Sequence, residues 1–112
     1  MITIYHNPRC SKSRETLALL QNRGLQPQVI EYLKTPPSVA ELRRLLTLLG
    51  LTARELVRHQ EPEYRQYKLD DASEMEIVRA MVEHPVLIER PIVVAGNKAA
   101  LGRPPENVLE IL

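Results

Sequence analysis

Cys10 is the only cysteine in a chain of 112 residues, and Arg9, Lys12 and Arg14 stand beside it. A short apolar strand ends just before it and an amphipathic helix begins just after it. Unpaired N–H groups at a helix start and nearby cations both favour S⁻ over SH, lowering a thiol pKa that begins near ~8.5. A thiol so placed is nucleophilic at neutral pH. The same N–H groups form a cradle for a tetrahedral oxyanion, so nucleophile and anion would meet at one place. The alternative, a buried small hydrophobe, sits poorly with neighbours such as Asn7, Pro8, Arg9, Ser11 and Lys12.

Two further side chains flank the thiol. Ser13 either donates a hydrogen bond to the sulfur from the first helical turn or satisfies a backbone N–H. His6, one residue past the strand, either favours the thiolate as an imidazolium or merely caps the strand. Arginine's planar fork of donors suits a tetrahedral oxyanion. Arg90 and Arg103 stand out because each directly precedes a proline at an edge of a predicted hairpin, where the backbone is pinned and the side chain can be aimed. Arg43, Arg44, Arg54 and Arg79 read as solvated helix surface, as do the acidic pairs Glu61 with Glu63 and Asp70 with Asp71 in their connectors. One cysteine and three dispersed histidines offer no metal-ligand set of recognised spacing, so no metal is expected. Glycine patterns for phosphate loops or dinucleotides are absent.

The elements that must position these groups follow from periodicity and punctuation. Ile2 and Ile4 alternate with Thr3, predicting a strand that runs into the loop of Cys10. Ser11 or Cys10 caps a helix with Leu17 and Leu20 on its apolar face, stopped at Gly24, and Val29 to Leu33 is a second strand, which makes a βαβ unit with parallel strands. After Pro36-Pro37, Ser38 with Glu41 opens a helix carrying Leu42, Leu45, Leu46 and Leu49 and closed by Gly50. Thr52 with Glu55 opens a short helix through Leu56, Val57 and Arg58, ended by Pro62. Tyr64, Tyr67 and Leu69 lie in a polar connector. Ser73 with Glu76 opens a helix with Ile77, Ala80 and Met81 inward, capped at its C-terminus by His84, while His59 is a surface residue. Ile92 to Ala95, Gly96-Asn97 and Lys98 to Leu101 make an antiparallel hairpin. A closing helix with Val108, Leu109 and Leu112 follows Pro104-Pro105.

Composition bounds the class. The chain is 44% apolar and 26% charged with net charge +1, which suits a compact soluble protein and gives no general pull towards nucleic acid or membrane. No apolar stretch approaches the ~20 residues of a bilayer span, and no signal-like segment opens the chain, so a cytoplasmic location is expected. A lone cysteine excludes an internal disulfide. One domain, 1–112, is expected, with a helical insertion at about 36–89 between the halves of one sheet.

The stretch Ile4-Tyr5-His6-Asn7-Pro8-Arg9-Cys10-Ser11-Lys12-Ser13-Arg14 resembles the active-site segment of ArsC-type, glutaredoxin-coupled arsenate reductases. The segments Tyr32 to Ser38, Glu55-Leu56-Val57-Arg58, His84 to Val94 and Gly102-Arg103-Pro104 are similar in order and spacing, so the resemblance covers essentially the whole chain. It implies an α/β, thioredoxin-like fold: a mixed four-stranded sheet with the helical insertion between the βαβ unit and a C-terminal ββα unit. It also implies a cis peptide at Arg90-Pro91, Cys10 as the nucleophile, Arg58, Arg90 and Arg103 as the oxyanion-binding arginines, and His6 and Ser13 as residues that tune the thiolate. Nothing in the residues alone singles out Arg58.

The resemblance further implies that Cys10 attacks arsenate, or a similar oxyanion, and that glutathione reduces the adduct as co-substrate with no bound cofactor. Glutaredoxin would then resolve a mixed disulfide. A lone cysteine fits this route, because the second thiol comes from outside. Spx-type regulators share the fold, bind RNA polymerase and sense oxidation through Cys-x-x-Cys; Ser13 at the second position excludes that switch but not polymerase binding. A thiol oxidoreductase without arsenate activity would keep Cys10 and have no need of the three arginines together.

Overall fold

The computed structural model describes residues 1–112. Four strands, β1 (Ile2–His6), β2 (Gln28–Glu31), β3 (Ile92–Ala95) and β4 (Lys98–Leu101), form one sheet in the order β2-β1-β3-β4. β1 and β2 are parallel across α1 (Ser11–Asn22), with Ile4 opposite Val29 and His6 opposite Glu31. β3 runs antiparallel to both β1 and β4. This mixed sheet of a βαβ unit and a hairpin is thioredoxin-like. Gly96 alone in the turn takes a positive φ, +61°, which is what a type II′ hairpin asks of its first central residue.

Alternation along β1 and β3 sends Ile4 and Val93 to one face, where Leu20 of α1 and Val108 meet them. All four are inaccessible to solvent. Each such side chain contributes about 1.5–3 kcal/mol by leaving water. Leu17, Leu25, Ala100 and Ile111 extend the cluster. α1 thereby lies against the sheet and presents its first turn at the C-terminal end of β1.

Chain packing separates two compact units, 1–35 with 90–112, and 36–89. The second is helical: α2 (Val39–Leu49), α3 (Ala53–Leu56), α4 (Pro62–Gln66) and α5 (Glu74–Glu83), with α5 packed on α2 and α3. Ser38 accepts from the Glu41 N–H, and Thr52 with Glu55 and Ser73 with Glu76 form complete capping boxes. No helix is long and apolar enough to cross a membrane.

Four local expectations need correction. The second strand ends at Glu31 rather than Leu33, because the Glu31 carbonyl accepts from both Lys34 and Thr35 N–H and turns the chain. The helix from Thr52 stops at Leu56, and Val57 and Arg58 are extended, since Val57 bridges to Ile88 and the Arg58 N–H bonds the Leu87 carbonyl at 2.7 Å. Pro62 does not end that helix but opens α4 from its first turn, where a missing N–H costs nothing. The closing segment Pro105–Ile111 is a 3-10 helix, with Leu112 exposed.

Candidate active site

Cys10 is the N-cap of α1, with extended backbone at φ −96° and ψ 124°. No side-chain oxygen caps the helix; the sulfur stands there instead, facing the first-turn N–H groups of Ser13 and Lys12. Arg103 reaches it from the far end of the chain, with Nη2 3.7 Å from Sγ, and the Arg90 guanidinium hydrogen-bonds it as well. Burial pushes the Cys10 thiol up, but the Ser13 N–H, the hydrogen bond and charge of Arg90, and the Lys12 N–H outweigh it and hold the thiol below its ordinary value. The sulfur is half-buried and in no disulfide. A thiolate with donors on two sides can both attack and hold an oxyanion.

The two arginines are tied to each other. Arg103 Nε donates to the Arg90 carbonyl at 2.7 Å, and the Gly102 N–H donates to the Pro91 carbonyl at 2.9 Å. Both Arg90-Pro91 and Arg103-Pro104 are cis peptides; the resemblance implied only the first. The space for this crossing comes from Gly102: a Cβ there would overlap Thr16 Oγ1 and lie 2.7 Å from Pro91 Cγ.

Behind the sulfur lies a buried polar group of side chains. Ser13 Oγ is 2.6 Å from His6 Nδ1 and accepts from the Asn7 N–H at 3.0 Å. Of the two readings of Ser13, the hydroxyl therefore takes the second: it satisfies a backbone N–H, and only its amide faces the sulfur. His6 is 6% exposed, and burial lowers its pKa, with Arg14 adding to the fall and Glu31 opposing it. Burial thus disfavours an imidazolium, and the ring stands against the Ser13 hydroxyl rather than the sulfur.

Asn7 was not singled out by sequence. Its N–H meets Ser13, its carbonyl accepts from the Cys10 N–H at 3.0 Å, and its Oδ1 accepts from the Arg9 N–H at 3.0 Å. An asparagine directly before a proline at a strand end carries the signal, since Asn side chains readily bond the backbone two residues on. The cations next to Cys10 in sequence turn away from it: Arg14 Nη1 donates to the Pro8 carbonyl, Lys12 pairs with Glu15 at 3.6 Å, and Arg9 is exposed.

Arg58 belongs to the helical unit. Its Nε lies 3.4 Å from Glu61 and its Nη1 3.3 Å from Glu89, and the Val57–Ile88 bridge holds its backbone. The structure therefore brings Cys10, Arg90 and Arg103 together, sets Ser13 and His6 behind them, and holds Arg58 between two carboxylates in the other unit.

Comparison with known proteins places this geometry in context. A family model described as the ArsC family matches residues 5–111. An arsenate reductase of Haemophilus influenzae is 52% identical, covering 99% of this chain and 98% of its own. The uncharacterized protein YfgD of Escherichia coli is 56% identical over 99% of this chain and 96% of its own. An arsenate reductase structure from Vibrio cholerae superposes with a TM-score of 0.97 at 58% identity, covering 99% of this chain and 97% of the other.

Proposed function

The chain belongs to the ArsC family, and on that premise we propose that it is an oxidoreductase that reduces arsenate to arsenite through Cys10, with glutathione and glutaredoxin as the source of electrons. The observation that carries this reading is the convergence of Arg90 and Arg103 on a thiol held below its ordinary pKa at a helix N-cap. An ordinary thiol exchange needs the thiolate alone. Two guanidinium groups at the sulfur suit a doubly charged oxyanion better.

The Cys10 sulfur attacks arsenic; an As–O bond breaks and that oxygen leaves as water, giving a thiol–arsenate(V) adduct. Arg90, Arg103 and the α1 N–H groups stabilise the charge on the arsenate oxygens. Glutathione thiolate then attacks the Cys10 sulfur. The S–S bond forms as the S–As bond breaks, and the electron pair of the latter stays on arsenic, which leaves as arsenite(III). Glutaredoxin thiolate takes the glutathionyl sulfur, and Cys10 returns as thiolate. No bound cofactor is needed, and the reducing cytosol is the compartment proposed. Arg58 is proposed as a further substrate-binding arginine, and His6 and Ser13 as residues that tune the thiolate, on the strength of the family resemblance.

Turnover of arsenate with glutathione and glutaredoxin tests this. Cys10→Ser is expected to abolish arsenite formation, and Arg58→Lys, Arg90→Lys and Arg103→Lys each to raise KM for arsenate about tenfold or more, since lysine keeps the charge but not the fork. A folded wild-type protein that forms no arsenite overturns the proposal.

A further inference from the structure

A groove of about 230 Å³ runs between the loop after β1 and the end of β2, lined by Pro8, Arg9, Glu31, Leu33 and Lys34 among others. The sheet order decides which flank of Cys10 it occupies. β2 lies on one side of β1, with β3 and β4 on the other. Glu31, Leu33 and Lys34 at the end of β2 therefore border the Cys10 loop from the side opposite Arg90 and Arg103, which stand at the ends of β3 and β4.

The two flanks suit different ligands. Arg90 and Arg103 converge on the sulfur itself, whereas the groove carries its charges on the rim: exposed Arg9, exposed Lys34, and Glu31 paired with Lys34 at 3.5 Å. Leu33, 42% exposed, and Pro8 give it an apolar strip. Displacement at a sulfur brings the incoming thiolate in line with the departing group. Arsenic held by the arginines departs towards β3 and β4, so the thiol that displaces it must arrive from the β2 side.

We infer that this groove binds the glutathione tripeptide, its two carboxylates on Arg9 and Lys34, its ammonium group on Glu31, and its thiol at the Cys10 end. The inference rests on the reading that Cys10 passes through a mixed disulfide with glutathione. Two cations and one carboxylate are the charge complement of that peptide. The Glu31–Lys34 pair is solvent-exposed and exchanges partners at little cost. Leu33 and Pro8 cover the methylene stem of the γ-glutamyl arm.

The test needs no arsenate. Cys10 is converted to its mixed disulfide with thionitrobenzoate, and an added thiol displaces the chromophore as thionitrobenzoate anion while its own sulfur bonds to Cys10. The quantity read is the rate constant with glutathione divided by that with uncharged 2-mercaptoethanol. Arg9→Gln with Lys34→Gln is expected to lower this ratio ~tenfold, the effect of losing two exposed ion pairs. Esterifying the glycyl carboxylate of glutathione should lower it in the wild type and much less in the double variant. Lys98→Gln, an equally exposed lysine on the hairpin, should leave it unchanged. An unchanged ratio in the double variant overturns the groove. A ratio that falls in a protein that makes no arsenite supports the groove and sinks the arsenate reading alone.

Discussion

The sheet unit, 1–35 with 90–112, carries eight Lys and Arg against four Asp and Glu, a net +4, while the helical unit, 36–89, carries seven against ten, a net −3. Buried polarity divides the same way. His6, Asn7, Ser13 and Thr16 are the buried polar side chains, and all belong to the sheet unit; the helical unit buries Leu42, Leu45, Leu56, Ile77 and Met81 without any. The near-neutral total therefore hides a basic unit suited to an anion. The comparison also separates two kinds of stability. The helical unit rests on apolar burial and caps, whereas the sheet unit adds buried polar side chains that are tolerable because each is hydrogen-bonded, His6 and Asn7 to Ser13 and Thr16 to the Lys12 carbonyl.

If that division holds, damage to the helical core should be large in stability and silent at the thiol. Ile77→Ala is expected to cost ~2–5 kcal/mol in denaturant unfolding, with the Cys10 titration unmoved; a shifted thiol pKa would break the comparison.

A smaller stability effect should carry a larger chemical one at Gly102. Gly102→Ala forces a Cβ against Thr16 Oγ1 and Pro91 Cγ, costing ~1–3 kcal/mol and moving Arg103 off the sulfur. The thiol pKa should then rise. In the helical unit a Cβ at Gly50 meets nothing within 4 Å, so Gly50→Ala should cost ~1 kcal/mol for its left-handed φ and leave the thiol as it was. Equal thiol shifts in the two variants would mean that Gly102 has no special part in the site.

The smallest effect sharpens the comparison by pH. Below about pH 6.5 an ordinary histidine takes up a proton, but burial holds folded His6 neutral. The unfolded chain then binds more protons than the folded one, so this residue's contribution to stability falls as pH falls. Unfolding midpoints at pH 7 and pH 5 should lie closer together in His6→Asn than in the wild type. An unaltered gap would place the titrating group elsewhere.

Local signals were legible where the physics is local. Capping boxes at Thr52 and Ser73, the Gly96 turn and the apolar faces of α1, α2 and α5 all follow from residues a few positions apart. The misread boundaries have different causes. A local turn on the Glu31 carbonyl ends β2, whereas Val57 leaves its helix to pair with Ile88, a tertiary pairing that overrides propensity. At the site, Cys10, Arg90 and Arg103 stood out by type and setting; Asn7 did not, because its work is done by backbone groups as much as by its side chain.

By itself the sequence determined that one thiol would sit at a helix start after a strand, and that an antiparallel hairpin would carry two arginines, each before a proline. It could not say which cations meet the sulfur. Arg9, Lys12 and Arg14 are its neighbours in the chain, yet helix geometry and competing partners turn them outward, and the guanidinium at 3.7 Å comes from Arg103. Sheet order decided this: pairing β3 against β1 brings the ends of the hairpin to the N-terminus of α1. Electrostatic coupling falls with distance through space and is indifferent to separation along the chain.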